Sequence, residues 1–439
     1  MKRFLRAVTN PAYEWLRVAL VGPVLLFPSS FPVVTTGALS ALLLLWLIQV
    51  AEWRTPARRT PLRYPLALLF VMVHVAVWIS PLPAVSLPKW GSVVLGMLVF
   101  RATLLSVTGA PALWRGVAMY LLLGLATVTV GVVGVSWRIG DDVSQLARIT
   151  SHIPQLVSGL PGTWRDEGVN PNALGGTTLF FLPLLAVFVG ATLREARSGT
   201  WFTGDREGSN PLGPPFSDRL LRTVALLASL YFVGVLVLSQ SRSAWLAAGV
   251  TASVLMLVRL FSERRRRSRR VLLLVGVGTI IAVATLGARL PVAGMALQGR
   301  SELWSGALEA IHAHPFAGVG LNTFRRLVSV SPLVFSDNPS DNTHAHNIFL
   351  QTAVDVGIPG LVAYLAILIV ASAMCWEIYT RGTAIEARLA LGLWASLLAV
   401  HLFGLTDSIA LGAKVGLYFW FGLGLIAGAH HDVVRRQTA

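Results

Sequence analysis

The sequence predicts an all-α polytopic membrane protein, and three observations carry that expectation. Apolar stretches of about 20 residues, the length that crosses a hydrocarbon core of about 30 Å, recur along the whole chain. Hydrophobic residues make up 54% of the 439 and charged residues only 13%, where a soluble domain carries about 25% charged residues. The basic residues gather in short blocks between the apolar stretches, most densely in Arg264–Arg267 with Arg269 and Arg270, as they do in cytoplasmic loops of membrane proteins.

Taken in order, the apolar stretches give about twelve spans, near 13–29, 31–51, 64–80, 86–107, 112–136, 173–193, 219–239, 243–261, 271–290, 357–376, 387–405 and 410–429. With the N-terminus inside, 52–63, 194–218, 262–270, 377–386 and the C-terminal tail become cytoplasmic and hold most of the 36 Lys and Arg residues. The reverse orientation would place the arginine cluster outside, so the expectation is an inner-membrane protein with both termini cytoplasmic. The charged start Met1–Arg6 leads into a stretch without a small-residue cleavage site, so no cleavable signal peptide is expected. A single cysteine, Cys375, excludes a disulfide framework and cysteine-based zinc. The net charge of +16 belongs to topology: no nucleic-acid-binding module or aromatic interleaving accompanies it.

Five units follow: N-terminal spans over 1–137, an outer loop over 138–172, central spans over 173–290, an outer helical loop over 291–356, and C-terminal spans with a tail over 357–439. Long connections are usually functional or disordered, and the second outer loop is too patterned for disorder. In Ser301–His314, Leu303, Trp304, Ala307, Leu308 and Ile311 recur at helical spacing, with Pro315 just beyond. A helix lying along the membrane surface and a small cap packed on the bundle both satisfy that pattern.

The residues able to do chemistry collect on the outer side. Arg242, within Ser239-Gln240-Ser241-Arg242-Ser243, lies between two spans, where an arginine either snorkels or meets an anion. Arg300, in Gly299-Arg300-Ser301-Glu302-Leu303-Trp304, is expected near a helix N-terminus, where backbone N–H groups favour an anion. In His344-Ala345-His346-Asn347, followed nine residues later by Gly357-Ile358-Pro359-Gly360, a histidine at a membrane face is suited to take a proton from a hydroxyl. Two positions apart in extended chain, His344 and His346 can face one side, and either can be the base. No metal is expected, since no acidic or cysteine ligand stands beside the pair in the sequence. Charges within the spans are few: Arg17 and Arg101 are expected to snorkel, and His74 and His401 stand alone.

The pattern from His346 to Gly360 resembles the hallmark of the bacterial O-antigen ligase and polymerase superfamily. The segments from Gly299 to Gly320 are similar to the preceding part of its conserved region, and Ser241-Arg242 resembles its Ser-Arg pair. Asn170-Pro171-Asn172, with Arg165 upstream, is similar to a further outer-loop element. The resemblance implies a membrane glycosyltransferase of the GT-C kind with a periplasmic helical cap. It implies inverting, cofactor-free and metal-independent transfer of a glycan from undecaprenyl pyrophosphate to a hydroxyl, in the ligase that of lipid A-core. His346 would then be the base, with Arg242 and Arg300 on the diphosphate, since guanidinium groups bind phosphate oxygens bidentately. Arg165 and Lys89 are further phosphate candidates; Asn347, Asn172, Asp407 and His344 are candidates for orienting sugar or histidine. Gly357 and Gly360 are expected to permit close packing.

The same donor chemistry serves an O-antigen polymerase and a protein O-oligosaccharyltransferase. The spacing from Asn347 to Gly360 leans toward the ligase, as does a chain that ends soon after its last span. A lipid or polysaccharide transporter would place ionisable groups and broken helices at mid-membrane, whereas here the reactive residues lie at one face.

Overall fold

The computed structural model describes residues 10, 13–27, 32–53, 58–135, 137, 152–153, 156, 170–198, 218–262, 293–330, 332–335 and 344–438. These are mostly helical. The first helices are α1 (Glu14–Leu26), α2 (Pro32–Trp53), α3 (Arg63–Trp78), α4 (Pro83–Ser106) and α5 (Ala110–Gly134). Then come α6 (Pro171–Thr178), α7 (Leu182–Ser198), α8 (Asp218–Leu238), α9 (Arg242–Ser262) and α10 (Ala293–Ala313). A hairpin of β1 (Leu327–Val330) and β2 (Leu333–Phe335) precedes α11 (Ile348–Arg381), α12 (Ala384–Phe403) and α13 (Leu417–Thr438).

Each expected span other than 271–290 overlaps a helix, and 271–290 lies outside the described residues. Among the described residues, five segments are long and apolar enough to cross a membrane: Pro83–Ser106, Ala110–Gly134, Pro171–Gly190, Ile348–Arg381 and Ala384–Phe403. Some boundaries shift. The expected span 173–193 is two helices, α6 and α7, divided by a turn, and α13 starts at Leu417 rather than near 410, behind a short 3-10 turn at Lys414–Gly416.

Local chemistry sets the helix ends. Asn347 caps α11, its side-chain oxygen accepting from the N–H groups of Phe349 and Leu350 at 3.0 and 3.1 Å. Thr383 and Glu386 cap α12 reciprocally, and Arg436 of α13 reaches the same Glu386 carboxylate at 2.7 Å. In the bundle, α4 lies along α13 and α1, while α11 packs against α3 and α12. One apolar core runs through these contacts, from Leu25 and Leu98 to Ile367 and Ile426.

Arg17 and Arg101, the candidates for snorkelling, share one acid. Both reach Glu14 Oε1, at 2.6 and 2.9 Å, and that carboxylate is buried; a buried charge is stable when it is paired, and here the pairing fastens α1 to α4. His74 and His401 are also satisfied: His74 meets Phe70 O and Trp90 Nε1, and His401 meets Leu397 O and Tyr364 Oη.

The segment expected as the second outer loop forms a cap seated on the bundle. Helix α10 buries Ala307 and Ala310 against Val319, Phe324, Ala345 and Val354, leaving Leu308 exposed. Because α10 starts at Ala293, Arg300 lies about 10 Å along the helix and not near its N-terminus. Helix α11 starts nine residues before the expected 357 and bends at Gly357, where φ is +74°. A Cβ there would stand 2.3 Å from Phe316 O, and one on Gly318 (φ +71°) would stand 2.3 Å from Val354 O. The two glycines therefore let cap and helix meet backbone to backbone, sealed by Val319 N–H to Val354 O at 2.8 Å and Ile358 N–H to Pro315 O at 2.7 Å. The β1–β2 hairpin was not expected, its strands being too short for alternation to stand out.

Candidate functional site

Four chain segments far apart in sequence meet at one end of the bundle. The start of α11 is tied to the segment after α12 by Ile348 N–H to Gly404 O at 2.7 Å and by Asn347 Nδ2 to Leu405 O at 3.2 Å. That segment is tied to the start of α9 by Thr406 Oγ1 to Ser243 Oγ at 2.9 Å. Asn172, at the start of α6, bridges the two: its amide nitrogen donates to Asp407 Oδ2 and its oxygen accepts from Ser241 Oγ.

The histidines sit at the centre. His346 adopts φ +42°, in the left-handed region where histidine is several-fold enriched. Its ring faces that of His344 with centroids 3.9 Å apart. Both rings look at one oxygen of the buried Asp407: His346 Nδ1 lies 3.5 Å and His344 Nε2 3.7 Å from Oδ1. The N–H of Ser408 donates to that oxygen at 2.7 Å. Burial pushes the Asp407 carboxyl up, but the contact with His346, the charge of His344 and the Ser408 N–H outweigh it, leaving Asp407 below its ordinary value.

The two imidazoles are not equivalent. His344 Nδ1 accepts from the backbone N–H of His346 at 3.1 Å and lies 3.2 Å from Ser408 Oγ. A backbone N–H can only donate, so that nitrogen carries no proton and the proton of neutral His344 is on Nε2. Burial, then the charge of His346, push His344 down to about 4, with Arg325 and Lys89 adding to the effect. His344 is thus neutral at pH 7, with its acceptor nitrogen occupied. His346 buries Nδ1 toward Asp407 while its ring stays 31% exposed.

A buried polar chain holds the histidine loop. Ala345 N–H donates to Gln351 Oε1 at 2.9 Å, Gln351 Nε2 to Asp355 Oδ1 at 2.9 Å, and Asn322 N–H to the same oxygen at 3.0 Å. Satisfied networks of this kind rigidify a site.

Cations surround it. The charges of Lys89 and Arg325 both act on His344. Burial, with Lys89 nearby, pushes Lys414 down to about 8, and its ammonium lies 4.2 Å over the Phe27 ring. Arg242 is the exposed first residue of α9, between Ser241 and Ser243, which are both bonded into the site. Arg300 lies half-buried on α10 of the cap. Arg165 falls outside the described residues.

The structure therefore joins His344, His346, Asn347, Asn172 and Asp407 directly, and brings Lys89 within electrostatic reach. Sequence reading missed Gln351, Asp355, Arg325, Lys414 and Ser408. Polar residues one helical turn apart in an apolar stretch were the available sign for the first two. The reason for expecting no metal also changes, because Asp407 supplies the acid that the sequence seemed to lack: ligand atoms of His344, His346 and Asp407 lie within 4.8 Å of one another. These three could hold a cation. The same geometry, two ring nitrogens around one carboxylate oxygen that also takes a backbone N–H, is that of donors gathered on an acceptor.

Residues 227–365 match the family model described as O-antigen ligase, and they include Arg242, Arg300, both histidines and the Gly357 bend. That segment is similar to O-antigen ligases. A curated O-antigen ligase of Pseudomonas aeruginosa is 28% identical over 211 residues, 47% of this chain and 45% of that protein. The chain thus spans less than half the length of the curated relative it matches. Asp407, Asn172 and Lys89 lie outside the matched O-antigen ligase segment, yet the fold delivers all three to its histidines.

Proposed function

We propose that the chain is an O-antigen ligase of the bacterial inner membrane, both termini cytoplasmic and the histidine site periplasmic. It would transfer O-antigen from undecaprenyl pyrophosphate to a sugar hydroxyl of lipid A-core, with inversion. The observation that carries this reading is that His346, inside the segment that matches the O-antigen ligase model, is paired with Asp407 from beyond it. Asp407 orients His346 through Nδ1, and Nε2 takes the proton as the acceptor oxygen attacks the anomeric carbon. The sugar–phosphate bond breaks, and the diphosphate leaves with the electron pair. Arg242 and Arg300, with Arg165, Lys89 and Arg325, supply the positive charge that meets it, and such electrostatic stabilisation can be the largest catalytic term. His344, neutral with its acceptor nitrogen occupied, supports His346 rather than replacing it.

The test is lipopolysaccharide capping in a strain lacking its own ligase, with membrane levels of each variant checked. His346→Ala should lower ligation about 10²-fold or more, accumulate lipid-linked O-antigen, and exceed the loss from His344→Ala. Full ligation by a well-expressed His346→Ala variant would sink the mechanism. Extension of single repeats into polymers by the wild-type chain, with no capping, would replace lipid A-core by another lipid-linked glycan as acceptor.

A further inference from the structure

The opposite end of the bundle holds a second collection of charge that the transfer chemistry does not use. The histidine site caps the start of α11; the far end of that helix lies on the order of 50 Å away by its rise per residue. There, the segment leading into α3 and the last turns of α13 enclose a cavity of about 720 Å³. Arg59, Arg63, Tyr64, His431 and Arg435 line it, and none of its lining residues is acidic.

Nearby arginines are matched to acids. Arg58 pairs with Asp432 at 3.2 Å, Arg436 with Glu386 at 2.7 Å, and Arg381 with Glu377. Arg59, Arg63 and Arg435 meet no carboxylate among the described residues. The Arg63 guanidinium lies 4.4 Å over the Tyr64 ring, while His431 Nδ1 turns toward Asp432 Oδ1 at 3.7 Å. Three guanidinium groups around one cavity, none of them matched to a carboxylate among the described residues, form a receptor for phosphate oxygens.

What distinguishes a lipid from a free anion is the surface that leads away from the cavity. Along α3, Tyr64, Leu68 and Val71 are exposed by 69%, 40% and 53%. They recur at i, i+4 and i+7, so they form one apolar stripe on the helix that borders the cavity. A molecule with its phosphate in the cavity could lay its acyl chains on that stripe.

We propose that this cavity binds the headgroup of an anionic phospholipid, with Arg59, Arg63 and Arg435 on the phosphate. Basic pockets between membrane helices take anionic headgroups in this way. The bound lipid would bridge the start of α3 to the end of α13. The proposal does not depend on the transferase reading, because it concerns other residues and another readout.

The experiment uses the full purified chain in detergent, titrated separately with dioleoyl phosphatidylglycerol, dioleoyl phosphatidylcholine and inorganic phosphate, and read by melting temperature. Phosphatidylglycerol should raise the midpoint, since a ligand that binds only the folded state stabilises it; the other two should not. The double variant Arg63→Gln/Arg435→Gln should need about tenfold more phosphatidylglycerol for the same shift. Arg115→Gln, which removes an exposed charge outside the cavity, should need no more than the parent chain. If the double variant fails to fold, Arg59→Gln alone and retained lipid in native mass spectra carry the same comparison. Equal stabilisation by phosphate alone would overturn the lipid as occupant. Equal stabilisation by phosphatidylcholine, or an undiminished response in the variants, would overturn the site.

Discussion

At one end of the bundle two histidines share a buried carboxylate; at the other, three arginines face a cavity without one. The residue types overlap, and the difference lies in what each charge can meet. Asp407 is held by Asn172 and Ser408, so the positions of its oxygens are settled before any substrate arrives. The histidine loop is in turn held by Gln351 and Asp355. At the arginine end, Arg59, Arg63 and Arg435 meet no such carboxylate among the described residues. Pre-organised donors and acceptors suit a place where charge develops during a reaction, whereas unmatched cations suit a place that receives a charge already present.

The sharpest way to break this contrast is to remove the carboxylate. Asp407→Asn, of nearly the same shape, should lower kcat about 10²-fold with little change in KM if Asp407 acts through His346. A rise in KM alone would reassign Asp407 to sugar binding.

Next comes the mechanical support. Gly357→Ala places a Cβ 2.3 Å from Phe316 O at φ +74° and should cost about 1–3 kcal/mol, read as a lower melting temperature. Gly306→Ala, on the same cap with nothing near the added carbon, should leave stability unchanged or raise it by about 0.5–1 kcal/mol. Equal losses in the two would remove the interlock from the account.

The smallest effect is a pH dependence. His344 in the fold titrates at about 4, against an ordinary 6.5, so the unfolded chain binds the proton first. Its contribution is full above about pH 6.5, declines toward about pH 4 and levels off below. His344→Gln should flatten the melting temperature across that window. Asp407, whose folded value is also lowered, acts below its ordinary carboxylate range and leaves the window clear. An unchanged slope in the variant would place the titration elsewhere.

Much of this was legible one segment at a time. Hydropathy located the helices because each must hide its own backbone and present apolar side chains to lipid or to a neighbour. The cap helix, the paired histidines and the close packing at Gly357 were also local signals. Arg300 at a helix start was a local inference that failed, because α10 begins a further two turns back, at Ala293. The shared pairing of Arg17 and Arg101 was hidden for a different reason: Glu14, close to Arg17 in sequence, meets Arg101 only once α1 lies on α4.

By itself, then, the sequence determined that the chain is helical and membrane-bound, where most of its helices fall, and which residue types could bind a diphosphate or take a proton. Tertiary structure decided which of them act together. His346 meets Asp407 from a turn 61 positions later, Asn172 reaches both Asp407 and Ser241, and Arg63 faces Arg435 across a cavity. Helical periodicity and hydropathy are properties of neighbours in the chain. The meeting of loops at a bundle's ends depends on how whole helices pack, and no local pattern records that.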